Sequence, residues 1–228
     1  MNGETARADA ERALGWVVSV NVGRPRTVEW LGRQVTSAIW KSPVEGSVPV
    51  RGDNLDGDDQ ADRRVHGGPD KAVYAYAVED YAWWRDELGD GVELGPATFG
   101  ENLTTEGFDP ARAVIGERWR VGSAVLEVCQ PRFPCAKLGM RMGDAAFVER
   151  FEQARRSGAY LRIVAAGEVR AGDPVTLLSR PDHDLRIVDL VDLLPVQDAP
   201  ADLLVRVIAN ADVPERFRTS AARTLTKR

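Results

Sequence analysis

The sequence predicts a mainly β protein, a closed β-barrel with a few peripheral helices, followed by a small C-terminal three-helix module. Short runs rich in β-branched and aromatic residues follow one another closely up to residue 180, with glycines between them. This pattern is typical of barrels. Beyond that point the apolar spacing becomes helical and prolines fall at the joints. We therefore expect a flexible N-terminus at 1–14, a barrel domain at 15–180 and a three-helix domain at 184–228.

The first half of the chain carries several strand signals. Three short runs at 16–20, 27–30 and 34–39 are separated by glycine-containing turns, so we expect a meander of strands. The stretch 51–68 holds five aspartates and is too polar to form core. An apolar strand resumes at 71–76.

A helix is predicted at 79–88, directly after that strand. Acidic residues open it and Gly89 follows its last residue, which is typical of helix boundaries. We interpret Trp83 and Trp84 within it as core packing rather than as a cofactor stack.

The second half of the barrel region contains a hairpin, a helix and two further strands. The hairpin is predicted from the runs 118–121 and 125–128, which a short turn separates. Helical spacing covers 145–156, and strand signals return at 160–164 and 173–178.

Three helices are predicted in the C-terminal part, at 185–194, 201–209 and 215–225. A helix-turn-helix reading is an alternative. The second helix carries one basic residue, Arg206. A helix with so little positive charge is poorly suited to binding in a DNA groove. The formal charge of −5 also provides no global attraction for nucleic acid. We therefore expect no nucleic-acid partner.

Composition predicts a cytoplasmic protein without a membrane partner. The hydrophobic fraction is 43% and the charged fraction 29%, which is ordinary for a globular chain. The sequence shows no long apolar run and no signal-peptide pattern. Its two cysteines are too few for a disulfide framework. Cys129 lies in an apolar strand pattern, and we interpret it as core.

Cys135 is the strongest candidate for chemistry. It lies in the segment 130–137, which reads QPRFPCAK and follows an apolar strand. The prolines cannot continue strand pairing, so the chain must leave the sheet just before the thiol. Arg132 and Lys137 flank it with positive charge, which favours a thiolate. The sequence therefore predicts a nucleophile or a soft-metal ligand, against the alternative of a buried inert cysteine.

A second candidate segment ends in a glycine pair. Gly67 and Gly68 leave backbone amides free to approach a ligand, and His66 can donate a proton near neutral pH. Taken alone, an ordinary loop histidine is the favoured alternative. The segment has no Gly-x-Gly-x-x-Gly pattern and no Walker lysine, so a nucleotide-phosphate fold is not supported.

Two further sites offer polar groups near predicted strand ends. Lys41 and Ser42 supply a cation and a hydroxyl, a combination suited to phosphate. Asn102 follows Gly100 and can donate and accept at once, which suits the edge of a heterocycle. An asparagine that caps a turn is an equally good reading of Asn102.

These segments together resemble the MOSC family, named for the C-terminal domain of molybdenum cofactor sulfurase, and within it the bacterial YiiM-like branch with a C-terminal 3-alpha domain. The resemblance covers roughly residues 15–180. It rests on five phrases that occur in the family order: KSPV at 41–44, GDDQAD at 57–62, VHGGPDKAVY at 65–74, FGENLT at 99–104 and QPRFPCAKL at 130–138.

The resemblance implies a barrel that holds the molybdenum cofactor, a molybdenum–molybdopterin complex, with Cys135 as the protein ligand of the metal. It implies that the segment of Lys41 and Ser42 holds the pterin and its phosphate. The implied activity is the two-electron reduction of N-hydroxylated compounds, such as 6-N-hydroxylaminopurine and hydroxylamines, to amines. Electrons would come from a separate flavin or iron–sulfur protein, because the chain has too few cysteines for its own cluster.

The charges of the candidate residues fit the binding of an anionic cofactor. Lys41, Arg132 and Lys137 would offset the anionic cofactor, and the amides at Gly67 and Gly68 would approach it. Gly100 and Asn102 are expected to contact it as well.

Cleavage of the N–O bond needs a proton, and His66 or Asp62 is the hypothesised donor. Two alternatives remain at this point: a sulfur transferase with a persulfide on Cys135, and a non-catalytic cofactor carrier.

Overall fold

The computed structural model of this chain describes residues 13–61, 67–89, 91–193 and 198–228. Within these ranges the strands are β1 Ala13–Val22, β2 Arg26–Trp30, β3 Arg33–Ser37, β4 Ser42–Pro43, β5 Val48–Arg51, β6 Asn54–Leu55, β7 Val73–Ala77, β8 Leu103–Glu106, β9 Arg118–Val121, β10 Ala124–Gln130, β11 Ala159–Ala165, β12 Gly167–Val169 and β13 Pro174–Ser179. The helices are α1 Val78–Leu88, α2 Ala136–Met142, α3 Phe147–Ala154, α4 Ile187–Val191, α5 Ala201–Ala209 and α6 Glu215–Thr226. Short 3-10 turns lie at Pro69–Lys71 and Pro110–Arg112.

Seven strands close into a barrel. Their order around it is β13, β9, β10, β11, β7, β8 and β1, and β1 pairs back onto β13. Neighbours are antiparallel except for β7 and β8, which run parallel. β4 extends the sheet from the end of β1, and β12, β5 and β6 form a separate three-stranded sheet. The predicted mainly β barrel with peripheral helices is therefore confirmed.

Ring closure depends on a glycine in β1. The pairing of β1 with β13 shifts register between Ala13 and Gly15. A Cβ atom at Gly15 would lie 1.9 Å from the carbonyl oxygen of Glu106 on β8. No side chain fits at this position, so glycine allows β1 to pair with both β8 and β13.

The expected meander of the first three strands is wrong in one respect. β2 and β3 pair with each other as an isolated two-stranded sheet. β1 instead pairs with β4, β8 and β13. Pairing between distant segments decides the position of β1, and local strand signals carry no information about it.

Two hydrophobic clusters build the interior. The larger one fills the barrel, and the smaller one is largely aromatic and lies where α1 and α3 cover β7. Trp84 is fully buried in the aromatic cluster, and its Nε1 donates to the Tyr76 hydroxyl over 2.8 Å. Trp83 packs against the same cluster while half-buried. The interpretation of both tryptophans as core packing is confirmed.

Helices α4, α5 and α6 lie where helical spacing predicted them. The α4 prediction extended to residue 194, which lies outside the described residues, and α4 itself ends at Val191. Buried side chains of these helices, including Leu204 and Phe217, join the same cluster as barrel residues such as Trp119. The division into a barrel domain and a three-helix domain stays a prediction.

Two further observations concern the N-terminus and the possibility of membrane-spanning helices. The expected flexible N-terminus lies outside the described residues up to residue 12, and β1 already begins at Ala13. Among the described helices, none combines the length and apolar character that crossing a lipid bilayer requires.

Candidate functional site

The cysteine segment leaves the sheet where the sequence predicted. β10 ends at Gln130, and residues 131–135 have no regular structure. Cys135 is half-buried and immediately precedes α2, whose Leu138 amide donates to the Cys135 carbonyl over 2.8 Å. The thiol is therefore held at the exit of a barrel strand.

A cleft at this end of the barrel brings most of the predicted residues together. Its empty volume is about 620 Å³, which includes the open solvent at its mouth. The predicted residues that line it are Lys41, Gly100, Asn102, Arg132, Cys135 and Lys137. They come from three separate segments of the chain, at 41, 100–102 and 132–137, so the fold rather than sequence proximity assembles the site.

Other predicted residues are not part of this lining. Ser42 is exposed in β4, where it pairs with Val22. Gly67 and Gly68 belong to the described residues but do not line the cleft. Asp62 and His66 fall outside the described residues, so their hypothesised role in proton donation stays a prediction.

One acidic side chain organises the wall beside Lys41. The Lys41 ammonium is paired with both carboxylate oxygens of Asp58, whose side chain is only 1% exposed. Asp58 also accepts from the Gly23 amide over 2.7 Å and from Asn102 Nδ2 over 2.9 Å. Burial lowers the pKa of Lys41, and the charge of Asp58 opposes that effect.

Asn102 joins three strands through its side chain and backbone. Its Oδ1 accepts from the Tyr74 amide over 3.1 Å, and its Nδ2 also donates to the Asn21 carbonyl over 3.2 Å. Its backbone carbonyl accepts from the Asn21 amide over 2.7 Å. Both amide hydrogens therefore already have protein acceptors, and Oδ1 already accepts one hydrogen bond. Contact with a cofactor at this residue stays a prediction.

Arg132 is a buried cation that lines the same cleft. It is 6% exposed, and its guanidinium carbon lies 5.6 Å from the ring centre of Tyr74 and 5.4 Å from that of Phe151. Within the described part of the chain, its Nη1 has no hydrogen-bond partner. Buried guanidinium groups are normally paired, so an unpartnered donor here marks a place for an acceptor from a ligand.

Two tyrosines line the cleft next to Arg132. The rings of Tyr74 and Tyr160 lie 5.1 Å apart between centres, and the Tyr74 hydroxyl donates to the Ser157 carbonyl over 2.9 Å. Burial raises the pKa of both phenols, and for Tyr160 the nearby charge of Arg132 opposes the rise. Both phenols therefore keep their protons at neutral pH.

Lys71 is a fourth cleft cation, which the sequence analysis missed. It belongs to the 3-10 turn after the glycine pair and lines the cleft near Cys135. Burial lowers its pKa first, and the charge of Arg216 lowers it further. An ammonium group with a lowered pKa releases its proton more readily than an ordinary lysine.

The C-terminal helix α6 reaches this region through Gln130. The Gln130 side chain donates to the Asp70 carbonyl over 2.9 Å and accepts from the guanidinium of Arg216 on α6. The ring of Phe217 lies 5.9 Å from that of Phe133 in the cysteine segment. Gln130 therefore ties the turn of Lys71, the strand before Cys135 and the C-terminal helix to one another.

The two cysteines differ in surroundings. Cys129 is 2% exposed, and its Sγ donates to the Glu127 carbonyl over 3.4 Å. Burial raises its pKa to about 12. The interpretation of Cys129 as core is confirmed, and Cys135 is the thiol that lines the cleft.

The donor set limits how a metal could bind. Among the described residues, no group of three or more histidine, cysteine, aspartate or glutamate side chains is arranged to hold a metal ion. A metal at Cys135 would therefore take one thiolate from these residues and bring its other ligands with it. Soft thiolate ligation suits metals that already carry sulfur ligands.

Fold and site together define a β-barrel protein with a ligand cleft that is rich in cations around one thiol. The family model described as "MOSC domain" matches residues 62–176. The chain therefore belongs to the MOSC-domain family, and its similarities lie with YiiM-like members.

Several relatives support this placement. The chain is 36% identical over 205 residues to YflK of Bacillus subtilis strain 168, a match covering 90% of this chain and 91% of that protein. It is 37% identical over 145 residues to YiiM of Escherichia coli K12, covering 63% of this chain and 65% of YiiM. The crystal structure of YiiM from Geobacillus stearothermophilus superposes with a TM-score of 0.75 at 28% identity, covering 92% of this chain and 99% of that one.

A fungal protein carries an activity in its name. The chain is 31% identical over 192 residues to a protein named "Reductase" from Gibberella moniliformis. The match covers 83% of this chain and 34% of the fungal protein, so the chain spans about a third of that relative's length.

Sequence reasoning missed Asp58, Lys71, Tyr74, Phe99 and Tyr160 as cleft residues. The aromatic residues lie in apolar strand patterns or beside them, which predict core. Lys71 opened a predicted strand, and Asp58 was one of five aspartates in a polar stretch. The phrases that carried the family resemblance contain Asp58, Lys71, Tyr74 and Phe99, so a signal existed for these four residues.

Proposed function

We propose that this protein is a molybdenum-cofactor-dependent reductase that converts N-hydroxylated compounds to amines, with Cys135 as the protein ligand of molybdenum. The observation that carries the proposal is the position of the Cys135 thiol in a cleft that also receives Lys41, Lys71, Arg132 and Lys137. The relative named "Reductase" supports the redox class of the reaction.

The charge of the cleft suits an anionic cofactor. Four cationic side chains line it, and Asp58 and Asp59 are the carboxylates of the lining. Molybdopterin carries a phosphate and a dithiolene, so it needs compensating cations. Arg132 would bind an anionic oxygen through Nη1, which has no partner among the described residues. Lys137, the second residue of α2, would add a second cation to the cleft.

Among the described residues, one thiolate and no further clustered metal ligands also fit this cofactor. The dithiolene supplies sulfur ligands of its own, so the protein needs to contribute a single soft donor. When bound, the cofactor supplies the two-electron redox chemistry, and the protein binds and orients it. The rings of Phe99, Tyr74 and Tyr160 would restrict water around the reacting atoms.

Reduction of R–NHOH to R–NH2 and water consumes two electrons and two protons. Breaking the N–O bond requires a proton on the leaving oxygen. Among the described cleft residues, Lys71 is one candidate donor, because burial lowers the pKa of its ammonium, as it does for Lys41. His66 and Asp62 remain the donors proposed from sequence. The electrons would come from a separate flavin or iron–sulfur protein.

The test is to purify the chain from a host that makes molybdenum cofactor and to measure molybdenum and turnover. We expect about one molybdenum per chain, and reduction of 6-N-hydroxylaminopurine with a chemical reductant. Cys135→Ala should lose metal and turnover together. Cys129→Ala is the matched control, which should keep both and lose only stability, because it empties a small buried volume.

The outcomes separate this proposal from its alternatives. Full turnover in Cys135→Ala would overturn the ligand assignment. A mass increase of one sulfur atom on Cys135 in a metal-free protein would indicate a persulfide transferase. Stoichiometric molybdenum without reduction by any donor would indicate a cofactor carrier.

A further inference from the structure

We propose that Asp58 is a positioning residue that keeps the Lys41 ammonium charged and fixed on the cleft wall, so that an anionic ligand meets a cation already in place. The identity of that ligand rests on the proposed function, whereas the coupling between Asp58 and Lys41 does not.

The surroundings of Asp58 fix its carboxylate beside the Lys41 ammonium. Its side chain is 1% exposed and that of Lys41 is 9% exposed, so both charges are largely removed from water. Both Asp58 oxygens contact the ammonium group. The Gly23 amide and Asn102 Nδ2 hold the same two oxygens from other directions. The carboxylate therefore has donors on each side and cannot turn away from Lys41.

Asp58 itself is held by the elements that form the barrel end. Asn102 at the start of β8 is bound to β1 and β7 through hydrogen bonds with Asn21 and Tyr74. Gly23 follows β1 directly, and its carbonyl accepts from the Asp59 amide over 2.9 Å. Lys41 is thus oriented through Asp58 by three barrel strands, although Lys41 itself lies in a loop. Groups supported in this way keep their geometry before a ligand arrives.

The electrostatics follow from this burial. Loss of water disfavours the charged form of Lys41, and the negative groups that face it are Asp58, Glu101 and Asp59. Asp58 is the nearest of them and the one that hydrogen-bonds the ammonium. Removal of its charge would leave a buried ammonium with more distant partners, which favours the neutral amine.

The experiment measures the charge state of Lys41 directly in the full-length protein without cofactor. Competitive acetylation with acetic anhydride, followed by peptide mass spectrometry, gives the rate at Lys41 from pH 6 to 11. We expect the midpoint for Lys41 to fall by at least about one pH unit in Asp58→Asn. The amine would then react about tenfold faster at a pH below both midpoints. The midpoint reports the charge, whereas a change in access alters only the maximal rate.

The matched control is Asp56→Asn. Asp56 lies two residues earlier and forms an exposed ion pair with Arg51 instead. Its replacement should leave the Lys41 midpoint unchanged. An unchanged midpoint in Asp58→Asn would overturn the proposal, as would an equal shift in both variants.

A thermodynamic cycle covers the case in which Asp58→Asn fails to fold. Asp58→Leu leaves a buried ammonium unpaired, whereas Asp58→Leu combined with Lys41→Met removes both charges. We expect the double variant to recover part of the thermal midpoint that Asp58→Leu loses. If the loss is the same with and without Lys41, the two residues are not coupled and the proposal is wrong.

The molybdenum content of the protein provides a second, separate measurement. In a host that makes molybdenum cofactor, Asp58→Asn should lower the molybdenum content several-fold while Asp56→Asn does not. Wild-type protein without molybdenum would contradict the proposed function, and the acetylation result would still decide the role of Asp58.

Discussion

Cys129 and Cys135 lie on either side of a strand exit and face different surroundings. Cys129 is enclosed in the barrel wall next to the Glu127 carbonyl, whereas Cys135 opens on the cationic cleft. The two prolines between them separate a structural thiol from an accessible one within a single short segment.

Alkylation should therefore distinguish the two thiols. At pH 8, iodoacetamide should modify Cys135 within minutes and leave Cys129 unmodified. With its pKa raised to about 12 by burial, Cys129 has a thiolate fraction of about one in ten thousand at that pH. Peptide mass spectrometry measures both sites, and Cys135→Ala should take up no label. Modification of Cys129 first would contradict the assignment of the two environments.

Replacement of Arg132 should weaken cofactor retention more than it affects folding. Its Nη1 lacks a partner among the described residues, so Arg132→Gln breaks no internal hydrogen bond at that atom. We expect molybdenum per chain to fall roughly tenfold, as loss of one charge-assisted contact predicts. Arg132→Lys should retain part of it, since it keeps the charge but not the planar fork.

Arg223→Gln provides the control for that measurement, because Arg223 is an exposed arginine on α6. It should keep the wild-type metal content. Full loading of Arg132→Gln would show that the buried guanidinium serves packing against Tyr74 and Phe151 alone.

Stability should depend on pH through Asp80 in α1. Burial raises the pKa of Asp80 to about 6, although Arg156 contacts its Oδ1 at 2.5 Å. A carboxyl group with a raised folded-state pKa contributes stability that is fully present below about pH 4 and is lost as pH rises through 6. The loss is at most roughly 3 kcal/mol, at about 1.36 kcal/mol per pKa unit.

Urea unfolding of wild type and Asp80→Asn between pH 4 and 8 measures this contribution. The free energy of unfolding of the wild type, relative to the variant, should fall across that range. Asp86→Asn, an exposed aspartate of the same helix, should run parallel to wild type. A difference that stays constant with pH would show that Asp80 titrates normally.

The local elements of the fold were largely readable from sequence, because their signals are local. The end of α1 at Gly89 and the hairpin of β9 and β10 follow from cap and turn chemistry. The helix α2 was missed, since it has seven residues and contains Gly139. Closure of β1 on β13 and the parallel pairing of β7 with β8 join segments far apart in sequence, and periodicity carries no information about such contacts.

The site was predictable where a motif carried it. Lys41, Arg132 and Cys135 were singled out by the chemistry of their segments and by the family phrases that contain them, and the structure brings them to one cleft. The partner of each side chain was not predictable. That Asp58, among several neighbouring aspartates, pairs with Lys41 depends on the path of the loop after β6, which only the assembled barrel determines.

Because the chain is synthesised from its N-terminus, the contact of Arg216 with Gln130 can form only after α6 has left the ribosome. The barrel closes only once β13 pairs with β1. The contact of Arg216 with Gln130, at the end of the strand before Cys135, needs the first turn of α6. A nascent chain thus exposes Cys135 before its pocket exists. Under the proposed function, the cofactor would therefore be loaded after β13 and α6 have been synthesised and have docked.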